Sequence, residues 1–279
     1  MLSAAEQDFV SGHAYVPEHL PGYVSAIFSA EPYLMDDYLC YRGERSIVLV
    51  GYPLASRFEE PALQAVLEAA VSRFRPDSVA VTAPSVSMLG ESCRTRGSDR
   101  YYRLDLSEFP PHRNAEQMVR RASRELHIED SGRIGEEHTR LIAEFLDSRQ
   151  PGDEAGQIIQ KIPLYLSSMP TARLFSARDR TGRLVAFDVA EFGAAHYAFY
   201  QFNIRSRDRH VPGASDLLLH HVIHVAQELQ KRYVNLGLGV DEGITHFKTK
   251  WGASPFLDYE YCRYSTRRPG ILDALLQKP

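Results

Sequence analysis

The sequence predicts an α/β protein built on a mixed, partly antiparallel sheet. Helix-type and strand-type patterns follow one another along its second half in the order β, α, α, β, β, β, α, β, α, β. Three successive strand patterns without a helix between them indicate antiparallel neighbours within that mixed order. The composition, 44% hydrophobic and 24% charged over 279 residues, is that of an ordinary globular chain.

The first part of the chain contains a shorter version of the same order. Residues 38–41 and 47–50 flank a glycine-containing turn and predict a hairpin. Apolar residues recur at helical spacing over 61–74, and further strand patterns cover 78–81 and 101–106. This succession matches the later portion of the order in the second half. We therefore interpret the two halves as a degenerate internal duplication.

The second half carries the more regular pattern. We predict strands at 126–128, 172–177, 184–190, 197–204, 233–236 and 256–264, and helices at 136–146, 156–166, 215–229 and 243–250. Pro110 and Pro111 interrupt the chain before this half begins. The prediction is therefore of two lobes, residues 1–112 and 113–279.

The charge balance is slightly acidic, with a formal net charge of −4, so no overall basic field attracts nucleic acid or an anionic membrane. The start of the chain lacks a basic segment of the signal-peptide type, and its longest apolar run is too short to cross a bilayer. Cys40, Cys93 and Cys262 are widely separated and form no CxxC motif, which fits a reducing compartment. We expect a cytoplasmic protein.

A loop of small and basic residues leads from the strand at 197–204 into the helix at 215–229. Unpaired amides and the positive end of the dipole make a helix start suitable for an anion. Gly213 and Ala214 would let a phosphate approach closely, and a β-branched residue at Gly213 is expected to abolish ligand binding without unfolding the chain. The alternative is an ordinary helix start that Ser215 or Asp216 caps. Cationic donors would come from Arg207, Arg209 and His210.

The order of elements, with this loop after the fourth strand, resembles the GNAT acyltransferase fold. His210, Gly213 and Ser215 take the places of the family's phosphate-loop residues, with Arg209 one position early. The resemblance implies an acyl-coenzyme A donor as co-substrate. The residues implied in donor binding are Phe202, Asn203, Ile204, Arg209, His210, Val211, Gly213, Ala214, Ser215 and Asn235.

A second resemblance extends over most of residues 36–265. The segment from Asn235 to Gly239, followed by Phe247-Lys248 and Trp251-Gly252, is similar to the FemAB-type and lysyl-phosphatidylglycerol-synthase-type aminoacyltransferases. Their arginine-rich junction helix resembles the segment with Arg120, Arg121 and Arg124. These proteins are tandem GNAT domains. The resemblance implies two GNAT-like lobes, the first degenerate, with the active site in the cleft of the second.

Four residues are candidates for the chemistry of acyl transfer. Lys248 would neutralise a phosphate or a developing oxyanion, or else be a solvated lysine beside Lys250. Tyr200 would protonate the leaving group, or else be a core tyrosine. Asp188 and Glu191 would accept the amine proton, or else be solvated carboxylates at a strand end.

Neither a metal nor a covalent nucleophile is predicted. His220 and His224 lie four residues apart, but they share a stripe with polar residues and are expected to face solvent. The sequence contains no HExxH motif and no GxSxG motif.

These observations favour an acyltransferase that moves an acyl group from an acyl-coenzyme A-type donor to an amine, so the expected partners are two small molecules. One alternative is a FemAB-like aminoacyltransferase that uses aminoacyl-tRNA and acts on a lipid or peptide. The acidic balance of the chain does not favour tRNA. A second alternative is a GNAT-like protein that binds its ligand without turnover.

Overall fold

The computed structural model describes residues 2–108, 113–149 and 152–266. Its strands are β1 Glu31–Met35, β2 Tyr38–Arg42, β3 Ser46–Val50, β4 Ser78–Ala83, β5 Thr95–Asp105, β6 Leu126–Ser131, β7 Ala172–Asp179, β8 Leu184–Glu191, β9 Tyr197–Arg205, β10 Tyr233–Leu238 and β11 Ser254–Ser265. Its α-helices are α1 Ala4–His13, α2 Pro21–Phe28, α3 Glu60–Phe74, α4 Arg113–Ala122, α5 Glu136–Arg149, α6 Asp153–Gln160, α7 Ile162–Ser168, α8 Ala214–Glu228 and α9 Glu242–Lys250.

The eleven strands of the described residues form one continuous sheet in the order β1-β2-β3-β4-β11-β5-β10-β9-β8-β7-β6. Most neighbours are antiparallel, and the parallel pairs are β3 with β4 and β9 with β10. A helix, α3 or α8, connects each parallel pair, as a parallel connection requires. The mixed α/β class predicted from the sequence is confirmed.

The sheet contains the same unit twice. β1, β2 and β3 are successive antiparallel neighbours, and β3 then pairs in parallel with β4 through α3. β7, β8 and β9 repeat that arrangement, and β9 pairs in parallel with β10 through α8. Each half of the chain thus contributes one GNAT-like unit.

The two units exchange a strand. β5, from the first half, pairs with β10 of the second unit, whereas β11, at the end of the second half, lies between β4 and β5. Residues 109–112, where the sequence predicted a lobe boundary, lie outside the described residues. The exchange brings first-half side chains on β5 next to the turn that follows β10.

The sequence missed the N-terminal elements. The start of α1 carries a capping box, in which Ser3 and Glu6 bond each other's backbone amides, and this Ser-x-x-Glu spacing was the available signal. The predicted helix at 156–166 is two helices, α6 and α7. Pro163 has no N–H to continue α6, so the chain breaks at Lys161.

Helix α8 packs across the second unit with an apolar stripe. Leu218, Leu219, Val222, Ile223 and Ala226 are fully buried in one cluster. Burial of such side chains contributes about 1.5–3 kcal/mol for each large aliphatic residue. The apolar stripe anchors α8 on the sheet and so determines the position of its N-terminus.

Cys93 and Cys262 form a disulfide between the segment before β5 and strand β11, while Cys40 is buried and free. The sequence spacing did not predict this pairing, because it depends on β11 lying beside β5. Among the described helices, none combines the length and the hydropathy that a membrane crossing needs.

Candidate active site

An opening separates β9 from β10 in the second unit. The two strands pair over three residues only, ending at Phe199 and Asn235. Beyond that point β9 continues its ladder with β8, and β10 continues with β5 as far as Leu238. The main chains of β9 and β10 therefore border a gap on the side from which α8 and α9 begin.

A β-bulge shapes the β9 side of the opening. Val189 pairs with Phe202 whereas Ala190 pairs with Tyr200, so Gln201 is the extra residue. Such a bulge interrupts the ladder and re-aims the strand. Both polar atoms of the Gln201 side chain are buried without a partner among the described residues. The bulge directly precedes Phe202–Ile204, three of the residues that the resemblance implies in donor binding.

Lys248 lies where β10 ends, beyond the three residues over which β10 pairs with β9, and its neighbours belong to β10, β5 and the start of α9. Its ammonium donates to the Leu238 carbonyl and lies 5.6 Å from the centre of the Tyr102 ring. Only 5% of the residue is exposed. Burial lowers the pKa of Lys248 to about 8, although the charges of Asp99 and Asp241 act to raise it. The alternative of a solvated lysine is therefore wrong.

Asp188 and Tyr200 share a buried hydrogen-bond network. Asp188 Oδ1 accepts from Tyr200 Oη at 3.1 Å and from Asn203 Nδ2 at 2.5 Å. Asn203 Oδ1 in turn accepts from Ser215 Oγ at 2.8 Å, in the first turn of α8. Asp188 is fully buried, so its alternative as a solvated carboxylate is wrong.

The protonation state of Asp188 follows from its surroundings. Burial raises the pKa of the Asp188 carboxyl well above its usual range, against the opposing effect of the hydrogen bonds from Asn203 and Tyr200. Its second oxygen, Oδ2, has no partner in the described part of the chain. Burial likewise raises the pKa of Tyr200. Burial therefore favours the protonated form of both groups.

A raised carboxyl pKa predicts how Asp188→Asn changes stability with pH. The unfolded carboxyl ionises above about pH 4, whereas the folded one keeps its proton to a higher pH. Folding therefore takes up a proton between the two pKa values, and stability falls as the pH rises through that interval. The amide removes this dependence. We expect Asp188→Asn to raise the free energy of unfolding at pH 7 and to flatten its decline above pH 4, measured by urea denaturation. If Asp188→Asn instead lowered the free energy of unfolding equally at pH 4 and at pH 7, the folded carboxyl would be ionised.

The start of α8 is closely packed by the protein itself. Gly213 is the N-cap residue, with φ at 87°, and a Cβ built on it would lie 2.5 Å from the Met118 carbonyl oxygen. Main chain of α4 therefore fills that side of the glycine. A β-branched substituent at Gly213 would meet this backbone, so the structure argues against the expectation that such a variant leaves the fold undisturbed.

A buried carboxylate occupies the first turn of α8. Asp216 accepts from Trp251 Nε1 at 2.9 Å and pairs with the Lys250 ammonium at 2.5 Å. A negative charge is stabilised at this end of a helix. The protein's own side chain thus uses part of the electrostatic capacity that the sequence assigned to a ligand phosphate. Neither Ser215 nor Asp216 caps the helix by a side-chain bond.

The remaining loop residues surround this helix start. The Arg209 guanidinium donates to the Leu184 carbonyl at 3.3 Å, and His210 is exposed. Val211 packs against the cluster under α8, and Ala214 is buried. The assignment of a phosphate to residues 209–215 stays a prediction.

Glu191 lies at the far end of β8, away from the α8 start. Its carboxylate accepts from Tyr165 Oη at 2.8 Å and from the amides of Phe192 and Gly193 at 3.1 and 2.8 Å. It is fully buried and lines a cavity of about 480 Å³ between the sheet and the N-terminal helices. Its alternative as a solvated carboxylate is wrong, and its role as proton acceptor stays a prediction.

Asn235 and the helical histidines have simple surroundings. Asn235 Nδ2 donates to the Tyr15 carbonyl at 2.8 Å and its Oδ1 accepts from the Gly237 amide at 2.7 Å, so it ties the N-terminal segment to β10.

His220 is half-buried and His224 exposed, with their Nε2 atoms 3.1 Å apart. Over the described ranges, no three His, Cys, Asp or Glu side chains converge as a metal site would need.

Sequence reasoning missed Asp99 and Tyr102, the first-half side chains beside Lys248. Both line a second cavity, of about 420 Å³, whose wall also includes Arg100 and Asp258. Nothing in the local pattern of β5 distinguishes them. Only the pairing of β5 with β10 brings them to Lys248.

No family model matches this sequence, and no curated protein matches it. Solved structures do match. FemX is 11% identical over 100% of this chain and 99% of its own, with a TM-score of 0.66. The C-terminal domain of a putative lysylphosphatidylglycerol synthetase from Agrobacterium fabrum is 14% identical, over 96% of this chain and 94% of its own, with a TM-score of 0.60. A tandem GNAT protein from the clavulanic acid biosynthesis pathway is 12% identical, over 84% and 79%, with a TM-score of 0.56.

Proposed function

Because this chain has the tandem GNAT-type, FemAB-like fold, we propose that it is an acyltransferase that moves an acyl group from an acyl-coenzyme A-type donor to an amine. The observation that carries the proposal is the buried ammonium of Lys248 at the end of β10, beyond the short pairing of that strand with β9. A buried charge beside a cleft is costly for stability, and such perturbed groups cluster at functional sites.

The reaction needs no covalent intermediate on the protein. The donor carbonyl would lie in the opening, with its oxygen toward the main chain of Phe202–Ile204 and the Lys248 ammonium. The amine nitrogen bonds to the carbonyl carbon, and the carbon–sulfur bond of the thioester breaks. Donors fixed in a water-poor cleft stabilise the negative charge that develops on the oxygen.

Proton transfer completes the balance. The amine proton passes to water or to an ionised carboxylate, for which Asp188 and Glu191 are the candidates. For Asp188 this requires that the carboxyl has first lost the proton that its burial favours. The leaving thiolate takes a proton from Tyr200 or from solvent. For Asp188 and Tyr200 this requires their shared hydrogen bond to rearrange, because each is now engaged with the other.

The donor phosphates would lie at the start of α8, near Arg209, His210 and the amides that open the helix. Val211, Ala214 and Ser215 border the same position. The missing side chain of Gly213 lets α4 pack closely against this loop, and it does not leave space for a phosphate.

The ionisation of Lys248 predicts a pH limb. Lysine is charged below its pKa, so raising the pH through about 8 removes the ammonium and should slow transfer. The rate constant kcat is measured across this range with an aromatic amine acceptor, which stays neutral throughout. A rate that rises through the same range would contradict a cationic role for Lys248.

A ligand screen tests the proposal directly. Thermal shift and mass spectrometry with acetyl-, longer acyl- and free coenzyme A should reveal a stabilising donor, and an acylated product when amines are added. Absence of both stabilisation and product would refute the coenzyme A donor. Stabilisation without product from any amine would favour a protein that binds and does not turn over.

The exposed guanidinium groups of α4 make aminoacyl-tRNA the second candidate donor. Arg120 and Arg121 are exposed in the last turn of the helix that packs against Gly213, and Arg124 is exposed just after that helix ends. Phosphate contacts of this kind weaken steeply as salt rises. Transfer from aminoacyl-tRNA that falls with salt, and that Arg120→Gln together with Arg124→Gln reduces, would favour this donor over coenzyme A.

A further inference from the structure

We infer that Asp99 is a positioning residue: its carboxylate holds the turn between β10 and α9, and through that turn it orients Lys248. The inference rests on the role proposed for Lys248. Asp99 lies on β5, in the first half of the chain, whereas the turn and Lys248 belong to the second half. Because of the strand exchange, Asp99 from the first half of the chain orients Lys248 in the second half.

The Asp99 carboxylate bonds the main chain of the turn with both oxygens. Oδ2 accepts from the Val240 amide at 2.8 Å. Oδ1 accepts from the Gly239 amide at 3.1 Å, and that amide also donates to the Arg100 carbonyl at 3.1 Å. Oδ1 also accepts from the Arg100 amide at 2.7 Å, which fixes the carboxylate on its own strand. A Cβ on Gly239 would lie 2.8 Å from Oδ1, so the turn approaches Asp99 as closely as main chain allows.

The turn needs such support because of Val240. Its φ is 61°, in the left-handed region, and its side chain is 73% exposed, with no core packing to compensate. A β-branched residue in this region is strained and persists only where the surroundings hold it. Hydrogen bonds from amides to a carboxylate are among the stronger ones in proteins. Asp99 thus provides the interaction that keeps Val240 in this conformation.

Lys248 depends on the same turn. Its ammonium donates to the Leu238 carbonyl, which directly precedes the Gly239 amide that donates to Asp99. The groups that face the ammonium are Asp99 and Tyr102 on β5 and Asp241 at the start of α9. A turn that moves would displace the carbonyl and leave the ammonium without its acceptor.

The test compares Asp99→Asn with Asp258→Asn in the full chain without substrate. Asp258 lines the same cavity and pairs with Arg100 at 3.3 Å, so its variant makes the same change of charge without touching the turn. Hydrogen exchange is read at the Gly239 and Val240 amides, and the Lys248 titration is read by NMR after reductive ¹³C-methylation. Loss of a hydrogen bond to a charged group corresponds to about tenfold faster exchange.

We expect Asp99→Asn to speed exchange at the Val240 amide by about tenfold or more, and by less at the Gly239 amide, which keeps the Arg100 carbonyl as an acceptor. We also expect the Lys248 titration to move to lower pH. Asp258→Asn should leave both unchanged. Unchanged exchange in Asp99→Asn, or the same response in both variants, overturns the inference. Neither readout involves acyl transfer, so failure of the proposed function and failure of this inference are separable.

Val240→Gly provides a second measurement in case Asp99→Asn folds poorly. Glycine adopts the left-handed region without strain, so the turn should depend less on its hydrogen bonds to Asp99. The loss of melting temperature caused by Asp99→Asn should therefore be smaller in the Val240→Gly background than in the parent chain. Equal losses in the two backgrounds would show that Asp99 does not support this turn.

Discussion

Replacing Gly213 by alanine is expected to destabilise the chain by more than about 3 kcal/mol, the sum of two separate penalties. The residue has φ at 87°, which an alanine adopts with strain. The added Cβ would also lie 2.5 Å from the Met118 carbonyl oxygen and 3.3 Å from the Ala122 Cβ. These are backbone and short side-chain atoms of α4, so α4 must move away from α8. Urea denaturation measures the change.

Gly182 provides the matched control. Its φ is 80°, and a Cβ built on it meets no atom within 4 Å. Gly182→Ala therefore carries the conformational penalty without the clash, about 1–2 kcal/mol. The difference between the two variants measures the contact of α4 with the start of α8. If both variants lose the same stability, α4 does not pack against Gly213 in solution.

Replacing Lys248 by methionine is expected to lower the kcat of acyl transfer by about 100- to 1000-fold, the loss typical of removing one oxyanion donor. Methionine has similar length and no charge, so the fold should be retained and the desolvation cost of the ammonium removed. Steady-state kinetics with the identified donor, together with melting temperature, measures both effects. Undiminished transfer by a folded Lys248→Met protein would exclude Lys248 from the chemistry.

Lys250→Met is the informative counterpart. Lys250 lies two residues further along α9 and pairs with the buried Asp216 carboxylate at 2.5 Å. Removing it leaves that carboxylate with the Trp251 indole and the start of α8 as its remaining partners. We therefore expect Lys250→Met to act mainly on stability and Lys248→Met mainly on transfer. If Lys250→Met mainly slowed transfer and Lys248→Met mainly lowered stability, the roles assigned to the two lysines would be wrong.

Local patterns predicted most elements because each depends on near neighbours in the chain. The strands β7, β8 and β9 and helix α8 appear within two residues of their predicted bounds. Their cores are continuous apolar runs or stripes at helical spacing. α1 was missed because it has few large apolar residues, and β1 because it is only five residues long and contains Pro32. The 156–166 helix was wrong because Pro163 interrupts it.

In the candidate site, too, the sequence predicted what depends on local motifs and missed what depends on distant contacts. Lys248 was identified from the Phe-Lys segment and its resemblance, and the structure adds that it is buried. The surroundings of Gly213 were not predictable, because Met118 lies almost a hundred residues away and no local pattern records a helix–helix contact. Asp188 shows the same limit, since burial and one unpartnered oxygen distinguish it from a solvated strand-end carboxylate.

By itself the sequence determined the class, the order of elements, the internal duplication and the resemblance to tandem GNAT proteins, because short-range periodicity and motif spacing carry that information. The tertiary structure decided the exchange of β5 and β11, the pairing of Cys93 with Cys262, and the meeting of Asp99 with the turn before Lys248. Each of these contacts joins residues more than a hundred positions apart. Such contacts are selected by the packing free energy of the whole chain, to which a local pattern contributes only a small part.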